Sequence, residues 1–306
     1  EAPLAEVPLL LHRLMKGTSV TDGDGRTLEF RQRVTSYEDW ERFQVNAIEV
    51  ELASPLAAGA SMELSVAYEG YLVGYTETGL RYERDHVDPA FTILREDARA
   101  FPGVGVPSFE TNRSAPRAPF TFEAAVTVPA DLVVATGGEE IGREAHDGRV
   151  TWRYRSRGPA PFLLVTIAPY DIAESDGLRV FHFPDDSAGA RAMLEASRRA
   201  VERLGQIFGP LDRPQALTIM EIPDGWGSQA SLTGGIILEA DAFRDPERRI
   251  ELYHELTHLW NAEDLDAPSP RWNEGLAMFL QGRLAREIDI GEGELLAYEG
   301  TAADLL

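Results

Sequence analysis

The 306 residues include 51 Asp and Glu against 29 Lys and Arg, a formal net charge of −22. That balance excludes nucleic acid and anionic membrane surfaces as natural partners. No apolar run approaches the roughly 18 residues of a spanning helix, and the absence of cysteine excludes disulfides, thiol catalysis and cysteine metal sites, leaving the redox compartment open. The length suits two domains, and the 43% apolar content is ordinary for a globular chain. Lys16 is the single lysine, a bias that fits a GC-rich coding sequence or a salt-adapted source. The start at Glu1-Ala-Pro-Leu reads as a mature N-terminus after signal cleavage or a cut chain, which leans toward an exported, periplasmic or secreted location.

From Thr27 to about Ser175 the pattern predicts short strands between turn residues: Thr27–Val34, Val45–Leu52, Met62–Tyr68, Leu80–Glu83, Phe91–Arg95, Phe120–Val128, Leu132–Thr136, Val150–Arg155 and Phe162–Ile167. These intervals suit an antiparallel β-sandwich, so residues 1–175 are expected to form a β domain. A boundary near Glu174–Gly177 precedes a mixed α+β domain, 176–306. There a strand, Leu178–Phe183, leads through Pro184-Asp185-Asp186 into a helix ending near Phe208, with Leu194, Val201, Leu204 and Phe208 on one stripe. Gly209-Pro210 stops that helix. Ala216–Glu221 and Gly234–Leu238 read as strands around a loop rich in Pro, Gly and Trp. Asp245-Pro246 then gives an N-cap and a first-position proline for a helix carrying Leu252, Tyr253, Leu256 and Leu259.

That helix carries His254-Glu255-Leu256-Thr257-His258, an H-E-x-x-H motif. Residues four apart share a helix face, so His254 and His258 can hold one zinc ion. Glu255 reaches water in an open coordination position as general base. Glu274, separated from His258 by fifteen residues, is the natural third ligand, carried near the first turn of a second amphipathic run with Leu276, Ala277, Phe279 and Leu280. The bland alternative is a surface helix with an accidental pair of histidines. The continuous apolar periodicity through the motif argues against it.

These residues carry a family resemblance. His254-Glu-Leu-Thr-His-Leu-Trp260 followed by Trp272-Asn-Glu-Gly-Leu-Ala277 resembles the zinc aminopeptidases of the aminopeptidase N type, gluzincins in which H-E-x-x-H precedes N-E-G-F-A. The connecting loop here is about three residues shorter than theirs. The resemblance implies His254, His258 and Glu274 as zinc ligands, Glu255 as base, and a saddle-like β domain followed by a thermolysin-like catalytic domain. Asp97-Ala-Arg-Ala-Phe-Pro102 is close to the family's D-A-R-x-x-F-P, one residue short; Val126–Ala130 and Pro161–Thr166 match in style. It implies hydrolysis of peptides or proteins, and a strand beside the zinc that pairs with substrate backbone. That role falls here on Gly234–Leu238, with Gly234, Gly235 and the preceding Ser231 as candidate substrate contacts, against the plain reading of a core strand with a glycine bulge.

The departures are specific. Where the family holds the substrate amine with G-x-M-E-N, this chain has Gly227-Ser-Gln-Ala-Ser-Leu-Thr-Gly234, without a glutamate. Glu221, Glu239 and Glu96 are the nearest replacements. The family's oxyanion-stabilising tyrosine lies well beyond the third ligand; Tyr298 comes too early and the chain ends at Leu306, as if the catalytic domain were cut short. His12, His86, His146 and His182 stand apart from ligand partners, and Asp85–Asp88 and Asp185-Asp186 read as solvated turns. Trp226, Trp260 and Trp272 are either pocket walls or packing. The expected function is zinc-dependent, aminopeptidase-like peptide hydrolysis. Its rivals are an endopeptidase, or a peptidase with altered N-terminal recognition, and a non-catalytic zinc-containing binding protein.

Overall fold

The computed structural model describes residues 2–73, 86–95, 98–108, 111, 119–159, 163–211, 217–231, 235–260 and 270–290. The expected strand Leu80–Glu83, and Glu96, Asp97, Gly234 and Tyr298, lie outside these residues. The structure is mostly β with a few helices. It divides into two compact units, Glu1–Pro116 and Arg117–Leu306. No helix among the described residues is long and apolar enough to cross a membrane.

The first unit contains β1 (Leu4–His12), β2 (Met15–Asp22), β3 (Phe30–Ser36), β4 (Gln44–Leu56), β5 (Leu64–Gly70), β6 (Thr92–Arg95) and β7 (Gly103–Val104). An antiparallel sheet runs β3-β4-β1-β7, and β2 pairs with β5. β1 and β2 lie ahead of the first strand expected from the sequence. Pro8 and the run Leu9-Leu10-Leu11 hide the period-two signal of β1, because this strand is buried on both faces. Leu9 and Leu11 join a core with Ile48 and Val50, while Leu10 packs with Tyr37, Phe43 and Val45. Pro8 donates nothing to the ladder, but its carbonyl accepts from Gly105 N at 3.1 Å.

The second unit contains β8 (Glu123–Pro129), β9 (Val133–Ala135), β10 (Glu139–His146), β11 (Arg149–Arg155), β12 (Leu164–Ala168), β13 (Asp171–Ser175), β14 (Leu178–His182), β15 (Leu217–Ile222), β16 (Gln229–Ser231) and β17 (Gly235–Glu239). β10-β11-β8 form an antiparallel sheet and β12 pairs with β9. A five-stranded sheet runs β13-β14-β15-β17-β16, its three central strands parallel. The expected break at 175/176 therefore falls inside this unit, between the paired strands β13 and β14. The turn Asp176-Gly177 reads as a linker in sequence, but both residues have positive φ and form a tight hairpin.

The helices are α1 (Ser187–Phe208), α2 (Asp241–Arg244), α3 (Ile250–Thr257) and α4 (Pro270–Ala285). α1 is the crossover between the parallel strands β14 and β15. Gly209, at φ +90°, ends it as expected. Met193, Ala200 and Leu204 of α1, Ile219 of β15, Ile236 and Leu238 of β17, Leu252 and Leu256 of α3, and Leu280 and Leu284 of α4 form one core. Strands β15 and β17 are buried on both faces, which is why they read as near-continuous apolar runs.

Candidate metal centre

Asp245 caps the chain's entry to α3: its carboxylate accepts from Glu247 N at 2.9 Å, and Pro246 opens the 3-10 turn Pro246–Arg249 that runs into the helix. Leu252, Tyr253 and Leu256 anchor α3 in the core, so the opposite face carries His254 and His258. α4 packs on α3 through Leu280 and Leu284 and brings in Glu274. Of the apolar face expected on α4, Ala277 and Leu280 are buried, whereas Phe279 is exposed.

The two imidazole Nε2 atoms are 3.2 Å apart. Glu274 Oε2 is 3.2 Å from His254 Nε2, and its Oε1 is 3.8 Å from His258 Nε2. Two nitrogens bound tetrahedrally at zinc's usual distance would stand about 3.3 Å apart. Among the described residues, only these three bring His, Cys, Asp or Glu ligand atoms together, all within 4.8 Å. Each ring is held at its far nitrogen: His254 Nδ1 lies 2.6 Å from Gln281 Oε1, and His258 Nδ1 lies 3.0 Å from Asn273 Oδ1. Amide oxygens only accept, so Nδ1 carries the proton in both rings and each Nε2 presents a lone pair. Three electron pairs facing one another call for a cation between them, a proton or a metal ion, and the donor set of two imidazoles and one carboxylate fits zinc.

The electrostatics agree. A proton on His254 Nε2, hydrogen-bonded to Glu274, raises the pKa of His254 and holds Glu274 below its ordinary range; a metal ion would take that proton's place. Burial pushes His258 down. Glu255, 7% exposed, is pushed up to about 7 by burial, against the His254 charge and a hydrogen bond from the Ala230 backbone, which pull it down. A buried carboxyl poised near neutrality is suited to taking and returning a proton.

Of the substrate-contact candidates, Ser231 lies on β16, and β16, not β17, is the sheet's edge. The expectation of an edge strand at Gly234–Leu238 is corrected: β17 is hydrogen-bonded on both sides. Gly235 is a glycine for a packing reason, since a Cβ there would stand 2.7 Å from Gly137 Cα. The sequence hid β16 because Gln229-Ala-Ser231 has no strand pattern; its partner's register defines it. Glu221 and Glu239 are engaged within the chain, accepting from Phe183 N and Gly227 N, each at 2.7 Å. Trp260 is packing: its indole donates to Gly209 O at 2.8 Å. The reading of Asp185-Asp186 as a solvated turn is corrected at Asp186, which is buried under the Arg244 guanidinium. Sequence reasoning passed over Gln281 and Asn273; their signal was a position on the helix that also carries Glu274.

No family model matches the sequence and no curated protein matches it. The fold does match solved structures. The M1 zinc metallopeptidase of Deinococcus radiodurans shares 19% identity at a TM-score of 0.63, covering 99% of this chain and 67% of that one. A point mutant of that enzyme bound to a Tyr-Ser-Ala substrate matches equally, at 19% identity and a TM-score of 0.63, covering 99% of this chain and 68% of that one. Yeast LTA4 hydrolase in complex with bestatin shares 15% identity at a TM-score of 0.63, over 94% of this chain and 44% of that one. The chain has the fold of these zinc peptidases.

Proposed function

We propose that this protein is a zinc-dependent peptidase of the M1 type, with His254, His258 and Glu274 as metal ligands and Glu255 as general base. The observation that carries it is the convergence of three lone-pair donors beside a buried glutamate whose carboxyl is held by the Ala230 backbone. The M1-type fold, the substrate in the Deinococcus structure and the sequence motifs support the same reading. When bound, zinc would supply Lewis-acid polarisation of the scissile carbonyl and acidify the attacking water. Glu255 takes the proton of that water and returns it to the leaving amine. His254 and His258 hold their lone pairs toward the centre because Gln281 and Asn273 fix their protons on the far side. β16, the outer strand of this sheet among the described residues, lies beside Glu255 and is the strand along which an extended peptide would run.

Recognition of the substrate N-terminus departs from the aminopeptidase pattern. The stretch 227–231 has no acid, and Glu221 and Glu239 already accept backbone hydrogen bonds. Peptides with free and acetylated N-termini separate the alternatives: a strong preference for the free amine supports an aminopeptidase, and equal rates an endopeptidase. The test of the core claim is Glu255→Gln. Zinc content should remain near one per chain while peptide hydrolysis falls by about 10²–10⁴-fold. Undiminished hydrolysis would overturn the assignment of Glu255. Bound zinc with no hydrolysis in the unaltered protein would favour a binding protein.

A further inference from the structure

We propose that Gln281 is a positioning residue that sets both the orientation of His254 and the net charge of the metal centre. The inference rests on the zinc reading above and goes beyond it. An imidazole that presents Nε2 to a metal must place its proton on Nδ1, and that proton needs a fixed acceptor. The Gln281 amide oxygen meets His254 Nδ1 at 2.6 Å, the tighter of the two such contacts; Asn273 meets His258 at 3.0 Å. Glu274 and Gln281 are seven residues apart on α4. They lie on one stripe, two turns apart, so one rigid helix supplies both a ligand and the group that orients another.

The chemistry of the two acceptors matters as much as their geometry. Metal-binding histidines are often backed by a carboxylate, which makes the imidazole more basic and tightens the metal. Here both backing groups are neutral amides. Among the three ligands and their two backing amides, the only formal negative charge is that of Glu274. A divalent ion held by two neutral imidazoles and one carboxylate keeps a net positive charge. That charge weakens the hold on the metal and strengthens its pull on a substrate carbonyl. The structure thus favours electrophilic strength over metal affinity, and position 281 is where that choice is made.

Two variants of the full chain test this. Gln281→Met keeps the length and removes the acceptor; Gln281→Glu keeps the acceptor and adds the charge. Zinc affinity is measured by competition with a chelating indicator, and thermal unfolding in chelator confirms that each variant folds. Gln281→Met should bind zinc roughly 10–100-fold more weakly, and Gln281→Glu should bind it about 10-fold more tightly, than the unaltered protein. A purely structural role would weaken or spare both together, so equal affinities, or a loss in both variants, would overturn the proposal. If the unaltered protein bound no zinc, the zinc reading itself would fail, a distinct result. If Gln281→Met did not fold, the Gln281→Glu measurement alone would decide.

Discussion

Two acid-bearing clusters in the second unit differ in burial and in how their charges are met: Asp186 and Glu221 are buried, whereas Glu274 is 55% exposed. At the mouth of α1, Asp186 is gripped by the Arg244 guanidinium with contacts of 2.8 and 3.0 Å, and Glu221 accepts from Phe183 N at 2.7 Å. At the metal centre, two imidazoles and Glu274 turn lone pairs toward one another, and no Lys or Arg is ion-paired with Glu274 among the described residues. The first group meets its charges with the chain's own cation and amide. The second leaves its carboxylate open to solvent, facing two imidazoles. Buried charge is costly unless paired, so the completed Asp186 cluster reads as architecture, whereas the exposed Glu274 and two half-buried imidazoles converge with room for an ion and read as a site.

The sharpest way to break this comparison is to remove the outside partner. A ligand that binds only the folded chain at about 1,000 times its Kd stabilises it by about 4 kcal/mol. Chelation should therefore lower the melting temperature by roughly 10 °C and abolish hydrolysis, with zinc restoring both. His258→Ala should show the lower melting temperature at the start and no further response to chelator. An unaltered protein that melts at the same temperature with and without chelator would place the centre in the same class as the Asp186 group.

The next effect is smaller and falls on the other region. Asp186→Ala should destabilise the chain by about 2–3 kcal/mol, less than a fully buried pair would lose, because Arg244 is half exposed. Denaturant unfolding measures the loss, and zinc content should stay at the value of the unaltered protein. A loss of zinc without a loss of stability would mean that the roles of the two regions are reversed.

What the sequence made legible follows the same line between local and completed structure. The proposed metal ligands were readable because their logic is local: a four-residue spacing, an Asp-Pro start, and an apolar stripe that turns the histidines outward. A strand with one polar face was readable for the same reason, as β11 shows. β1 was not, since burial on both faces erases alternation and Pro8 argues against a strand. β16 was not, since three residues of no strand character become an edge only by pairing with β17. Asp186 read as a solvated turn because Arg244, the residue that buries it, is 58 positions away. Gln281 passed unnoticed because its function depends on the packing of α4 against α3.

The finest test separates Glu221 from Glu255, two buried glutamates that both titrate high. Burial, with the Asp186 carboxylate beside it, pushes Glu221 up to about 8 from an ordinary value of 4.5. Its folded-state pKa lies above its unfolded one, so the folded chain holds the proton more tightly through that window. The stabilisation is then fully present below about pH 4.5 and is lost as pH rises through about 8. Glu221→Gln cannot ionise and should remove this slope. Measured by urea unfolding of the zinc-loaded protein at pH 5 and pH 8, the stability of the variant relative to the unaltered chain should rise by on the order of 1–2 kcal/mol. Its hydrolysis of peptides should change little, whereas Glu255→Gln loses it. If Glu221→Gln instead lost hydrolysis while keeping the pH dependence of stability, Glu221 would belong to the site and the division between the two groups would fall.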